Sequence, residues 1–186
     1  NPCSASFGKY VRLRRNTQAE AAFEKIWTER GPDHAASEYR RLASRLVSTL
    51  MNAGAGRRFR ASEPLAIDLP NGRVMVTPNE IAELPNGMIV LRRVRTGAKR
   101  SEEYDDLTYA LYQLAGAAHF GRSFRLEALH LTDEVAEEVA ITSRKLQNRK
   151  EKTEDMLKAI TAGQFPTNLD AVRCPRCPHF FICAAI

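Results

Sequence analysis

Pro85-Asn86-Gly87-Met88-Ile89-Val90-Leu91-Arg92-Arg93-Val94-Arg95-Thr96-Gly97 is the stretch that decides the fold. Pro-Asn-Gly is a turn signal, because Asn and Gly accept the left-handed backbone a tight hairpin needs. The residues after it, Met88 to Arg95, are rich in branched side chains and predict a long strand. Side chains alternate between the two faces of a strand, so Arg93 and Arg95 share one face.

On the N-terminal side, Leu65, Ile67 and Leu69 alternate with other residues and run into Pro70-Asn71-Gly72. Arg73 to Val76 predicts a returning strand, and Asn79 to Leu84 continues the sheet into the next turn. Tight turns between such strands predict an antiparallel meander. Before it lie two helical patterns. Ala19, Ala22, Phe23, Ile26 and Trp27 share a face over Asn16 to Glu29. Tyr39, Leu42, Ala43, Leu46, Val47 and Leu50 recur until Gly54-Ala55-Gly56, with Asp33 as the candidate cap.

On the C-terminal side, Ser101 reads as the N-cap of a helix with Glu102 and Glu103 in its first turn. Tyr104, Leu107, Leu111, Leu114, Ala115 and Ala118 form its apolar face. Ser123 to Leu131 and Val135 to Ile141 predict strands. A last helix from Ser143 to Ala162 is expected to turn Leu146, Met156, Leu157 and Ile160 inward. The fold class expected is α/β, a mixed sheet holding an antiparallel meander and flanked by helices. The 186 residues, 44% hydrophobic, suffice for one domain with its own core. Its expected parts are a helical region over 1–56, a sheet core over 57–141 with a helix over 101–119, and a long helix plus cysteine loop over 142–186.

Lys and Arg number 28 against 22 Asp and Glu, a net charge of +6. Arginine suits phosphate because its planar fork can bind two oxygens at once. Arg57, Arg58, Arg60, Arg92, Lys99 and Arg100 are therefore candidate nucleic-acid contacts. No stretch is apolar and long enough to span a bilayer, and no signal peptide is read in Asn1-Pro2-Cys3 and the basic residues after it. The compartment expected is the cytoplasm, with no membrane partner.

The four cysteines are Cys3, Cys174, Cys177 and Cys183, the last three as Cys174-Pro-Arg-Cys177-Pro-His-Phe-Phe-Ile-Cys183. In a reducing compartment they suit a metal or cluster better than disulfides. Four thiolates match an iron–sulfur cluster or a Cys₄ zinc site, and His179 is a rival fourth ligand for zinc. Ligand spacing alone leaves both open. If Cys3 joins the other three, the two ends of this chain meet.

Helix, antiparallel strands, helix, strand is an order that resembles the core of the PD-(D/E)XK nuclease superfamily. Met88 to Gly97 followed by Tyr104 to Ala115 is similar to the RecB-type nuclease domain, whose hallmark strand ends in Asp-Tyr-Lys-Thr-Gly. One cysteine before the core and three after it resembles the iron–sulfur layout of AddB-type proteins, and implies a [4Fe–4S] cluster on Cys3, Cys174, Cys177 and Cys183. Gly31-Pro32-x-His34, Arg93-Val94-Arg95-Thr96-Gly97 and the cysteine run look most like the C-terminal region of UvrD/Rep-like DNA helicases.

That resemblance implies a domain acting in DNA repair or recombination, beside helicase motor domains and on single-stranded or junction DNA. This chain holds no Gly-x₄-Gly-Lys-Ser/Thr phosphate loop of its own, and its opening residues read as those of a piece of a longer chain. Active members bind a divalent metal through an Asp on the middle strand and an Asp or Glu two residues before a Lys, and the metal activates water. Here Arg93 and Arg95 stand at the last two of those positions, and Asn79 falls near the first. The family's Gln-x₃-Tyr helix motif reads Thr108-x₃-Tyr112. The expectation is a domain without catalytic residues. In it Asn79, Arg93, Arg95 and Tyr112 mark the degenerate site; Arg93 and Arg95 would hold phosphate, or else Arg92, Arg93 and Arg95 pair with Glu102, Glu103, Asp105 and Asp106 of the following helix. Glu63, Asp68, Glu80 and Glu83 read as ordinary surface acids. Two alternatives are an active exonuclease with migrated carboxylates and a zinc-binding protein-interaction domain.

Overall fold

The structure is a computed structural model. It describes residues 16–30, 36–97, 99 and 106–164, with side chains from residue 21 in the first segment. The described elements are α1 (Asn16–Arg30), α2 (Ala36–Ala53), β1 (Arg58–Arg60), β2 (Leu65–Leu69), β3 (Gly72–Val76), β4 (Glu80–Glu83), β5 (Ile89–Arg95), α3 (Leu107–Phe120), β6 (Phe124–His130), β7 (Val135–Glu138) and α4 (Ser143–Thr161).

Five strands form one mixed sheet in the order β1-β4-β5-β6-β7. β5 and β6 run parallel, joined through α3, and the other neighbours are antiparallel. The α/β expectation with a mixed, helix-flanked sheet is therefore met. The long strand read from Met88 to Arg95 is the central one. Its turn closes as expected: Gly87 adopts a φ of 80°, and the Asn86 side chain accepts a hydrogen bond from the Met88 N–H at 3.1 Å.

Alternation along β5 divides the core in two. Ile89 and Leu91 face α3, where they pack with Tyr109, Tyr112, Ala115, Leu126 and Ala128. Val94 turns to the other face and packs with Leu46 and Leu50 of α2 and with Leu129 and Leu131. A smaller cluster joins α1 to α2 through Phe23 and Val47, with Ala22, Ile26 and Trp27 against it.

Four expectations need correction. The predicted meander is broken, because β2 and β3 form a separate two-stranded sheet and β4 pairs instead with β1, a strand the alternation was too short to reveal. Pro78 lies between β3 and β4, where it lacks the N–H a continuous ladder needs. The helix predicted from Ser101 is capped at Asp106, whose carboxylate accepts from the Thr108 N–H; Ser101 itself lies outside the described residues. Tyr39 and Leu42 on α2 are exposed, because that helix buries the line through Leu46 and Leu50. Met156 and Ile160 are likewise exposed, since α4 is turned so that Thr153 and Leu157 face inward, with Leu157 against Gly72. Asp33, Tyr104, Glu102 and Glu103 lie outside the described residues.

α3 comes very close to β6 at Gly116. A Cβ there would stand 2.3 Å from the Phe124 ring, well inside van der Waals contact. Alanine normally favours a helix over glycine by up to about 1 kcal/mol. Overpacking costs about 1–3 kcal/mol and outweighs that gain. Gly116→Ala should therefore lower the urea midpoint, and adding Phe124→Leu should restore much of the loss.

Candidate functional site

Arg93 lies on the α3 face of β5, one strand position past Leu91 on that face. Its Nη1 donates to Asp106 Oδ2 at 2.7 Å, and its guanidinium stands 5.1 Å from the centre of the Tyr109 ring. Asp106 is held at the same time by the first turn of α3, its Oδ1 accepting from the Thr108 N–H at 2.9 Å. An aspartate at this point caps the helix and meets the positive end of its dipole. Strand and helix are thus tied by one carboxylate.

Burial works most strongly against the charge of Arg93, but the hydrogen bond to Asp106 together with the charge of Asp106 and the nearby Tyr109 and Tyr112 more than offsets it and raises its pKa. Burial likewise opposes ionisation of Asp106, and the Thr108 N–H and Arg93 more than offset it, holding its carboxyl below the usual range. A carboxyl with a depressed folded-state pKa stabilises the fold fully above its unfolded value of about 3.9. That contribution is lost as pH falls through and below this value. Asp106→Asn keeps a capping side chain but removes the charge. Its stability, followed by urea midpoint, should fall less steeply than the parent's between about pH 5 and pH 3.

The other residues expected to mark a degenerate site are also engaged. Asn79 Oδ1 accepts from the Val94 N–H at 2.9 Å, in place of a strand neighbour. The Tyr112 hydroxyl donates to the Thr77 carbonyl at 3.1 Å, and burial raises its pKa. Arg95 lies at the end of β5 on the same face as Arg93, with its carbonyl accepting from the Leu131 N–H at 2.8 Å. The structure therefore brings Arg93, Asp106, Tyr109 and Tyr112 together, and Asn79, just before β4, bonds the next residue of β5.

Arg92 is on the opposite face and 1% exposed. Its neighbours across the sheet in register are Glu80 on β4 and Glu127 on β6. Its guanidinium sits 3.0 Å from Glu80 and 2.5 Å from Glu127, and donates to the Ala53 carbonyl at the end of α2. Arg57 binds both oxygens of Glu127 from the other side, at 3.1 and 3.2 Å. Arg125 lies 3.5 Å from the same carboxylate. Glu80 is thus no surface acid: it is buried, because Arg92 needs a counter-charge there. Pairing of Arg93 with Asp106 was among the expectations, whereas reasoning from sequence missed Glu80 and Glu127 as the partners of Arg92. The available signal was Arg92 itself, a charge at an inward position of a central strand.

The remaining candidates divide. Arg60 pairs with Glu83 at 2.6 Å, and Lys99 with Glu137 at 2.7 Å. Asp68 is taken by Arg73 at 2.6 Å. Arg58 is exposed on the edge strand β1. Arg100, His34, His179, Cys3, Cys174, Cys177 and Cys183 lie outside the described residues.

Tested against a divalent cation, Arg93 and Asn79 do not fit. Arg93 presents a fixed positive charge, and the Asn79 oxygen is already used by the backbone. Among the described residues no three of His, Cys, Asp or Glu are grouped so that they could share a metal ion. Nor is any described helix long and apolar enough to cross a membrane.

No protein-family model and no curated protein matches the chain. Among solved structures it is similar to the crystal structure of a "Putative exonuclease" from Eubacterium rectale, with a TM-score of 0.50 and 15% identity over 89% of this chain and 67% of that one. The chain has a nuclease-like fold.

Proposed function

We propose that this is a nuclease-like domain that binds DNA, single-stranded or at junctions, without cutting it. The observation that carries this reading is the Arg93–Asp106 pair. At the position where a metal-dependent nuclease of this architecture needs a carboxylate, this chain holds a guanidinium, neutralised from α3 and stacked on Tyr109. Among the described residues the carboxylate at hand, Asp106, is already taken by Arg93 and the Thr108 N–H, which disfavours a divalent metal there and with it the activation of water. The nuclease-like fold and the excess of basic residues support nucleic acid as the partner.

The cysteine spacing extends the proposal. Cys3, Cys174, Cys177 and Cys183 would hold a [4Fe–4S] cluster that ties the ends of this chain together, and the parent protein would be a cytoplasmic UvrD/Rep-like ATP-dependent helicase whose motor domains this module supports. Protein purified without oxygen should be brown, with iron and sulfide lost in Cys3→Ala. A colourless protein with stoichiometric zinc, unchanged by Cys3→Ala, would contradict the cluster. DNA binding itself is tested by fluorescence anisotropy across salt, where the affinity should fall steeply. Salt-independent or absent binding would contradict the DNA-binding reading.

A further inference from the structure

The small sheet of β2 and β3 has one open edge. Pro70 and Asn71 make a two-residue turn, so Leu69 and Gly72 close the ladder as a hydrogen-bonded pair. Bonding then alternates. Ile67/Val74 and Leu65/Val76 bond within the hairpin, and the backbone groups of Asp68, Arg73, Ala66 and Met75 point away from it. On β2 this phase is visible, because the Ala66 N–H and carbonyl lie 3.1 and 3.0 Å from His119 Nε2 at the end of α3. On β3 the outward groups of Arg73 and Met75 meet no backbone partner among the described residues. Such an edge is a template for pairing, and native sheets cover it or blunt it with charge or proline. Here Met75 is exposed, no proline lies within the five residues of β3, and Arg73 is met by Asp68. A two-stranded sheet is also marginal by itself.

The chain itself comes back to this edge. α4 ends against the β2–β3 turn, where Leu157 stands 3.6 Å from the position of a Cβ on Gly72 and the Thr161 hydroxyl donates to the Asn71 carbonyl at 3.5 Å. Gly163, at a φ of 68°, then closes the helix. Its N–H donates to the Ile160 carbonyl and the Gln164 N–H to the Ala159 carbonyl, the pattern that turns a chain back at a helix end. Gln164 follows Thr161 by three positions, so residues 165–186 set out near the start of β3.

We propose that residues 167–173 add to the edge of β3 as a third strand, parallel to it. They lie between Pro166 and Pro175 and include neither proline nor glycine. A segment leaving from the Gly72 end runs the same way as β3. With Leu169 beside Gly72, Asp170 falls beside Arg73, Ala171 beside Val74 and Val172 beside Met75. Asp170 then meets a cation and Val172 an exposed methionine on the outer face, pairs of the kind that stabilise neighbouring strands. Leu169 and Ala171 join the face whose Leu65, Ile67 and Val76 pack on α3. A second copy of the chain is the rival occupant. Two-fold pairing of β3 with itself about Val74 sets Arg73 beside Met75, a poorer match. The inference is independent of the DNA-binding reading.

The test is amide hydrogen exchange on the 186-residue protein, resolved by residue with NMR. The Arg73 and Met75 amides should exchange at least about 100-fold more slowly than in an unstructured peptide. That protection should not change over an about tenfold range of protein concentration. Ala171→Pro removes the N–H that the proposed register sets on the Arg73 carbonyl, and should speed both exchanges at least about tenfold. The Val74 amide, paired with Ile67 inside the hairpin, should change less than about threefold. Should the proline variant fail to fold, a benzoylphenylalanine photo-crosslinker in place of the exposed Met75 should join to residues 167–173 of the same chain. Unprotected Arg73 and Met75 amides in the parent, or exchange unchanged by Ala171→Pro, would overturn the proposal. Protection that grows with concentration, or cross-links to a second chain or to another segment, would also overturn it.

Discussion

Arg92→Met is expected to cost about 3–5 kcal/mol of folding stability, the range for removing one partner of a buried ion pair. Total domain stability is commonly about 5–15 kcal/mol, so the variant should be close to unfolding or unfolded at room temperature. The reason lies in what remains. Glu80 and Glu127 would stay buried on one face of the sheet with the central positive charge gone, and the Ala53 carbonyl would lose its donor. Glu127 keeps Arg57 and Arg125, whereas Glu80 loses the guanidinium that faces it across the sheet. Glu80→Gln should therefore cost less in the Arg92→Met background than in the parent. Urea unfolding of the four proteins of that cycle reads the coupling directly.

Leu50→Ala should have the second largest effect, about 2–5 kcal/mol. Leu50 is 1% exposed and sits in the cluster with Leu46, Leu129 and Leu131 that seats α2 on the sheet. The same helix end is held by the Arg92 bond to Ala53, so both substitutions loosen one docking. α1 rests on α2 through Phe23 and Val47 and should loosen with it. Leu50→Ala should lower the urea midpoint and expose the Trp27 fluorophore. Leu42→Ala, on the exposed side of α2, should do neither, with a change within about 0.5 kcal/mol.

The elements around β5 were legible in sequence because hydrophobic periodicity and Gly-containing turns act locally. Strand β5, its hairpin turn, α2 and β6 lie where the pattern put them. What was illegible depended on pairing at a distance. β1 is three residues long and exists because β4 offers it an edge. The detachment of β2 and β3 from the main sheet is likewise a choice between partners that alternation does not encode.

The candidate site shows the same division. Strand period alone put Arg93 and Arg95 on one face. The identity of the acid that neutralises Arg93 required knowing where α3 begins, and Asp106 has two uses there, as cap and as counter-ion. The face of Arg92 was readable, but Glu127 lies 35 residues further along the chain and meets it only through the parallel β5–β6 register.

The most direct test of the central claim is a cleavage assay on the DNA the protein binds. End-labelled single-stranded and duplex oligonucleotides are incubated with the 186-residue protein in Mg²⁺ or Mn²⁺ and resolved on a denaturing gel, with binding measured on the same sample. DNA bound and left intact over hours is the result the proposal expects, since in it Arg93, paired with Asp106, stands where an active nuclease would hold a metal-binding carboxylate. Metal-dependent cleavage that a chelator stops, and that co-purifies with the protein, would contradict it.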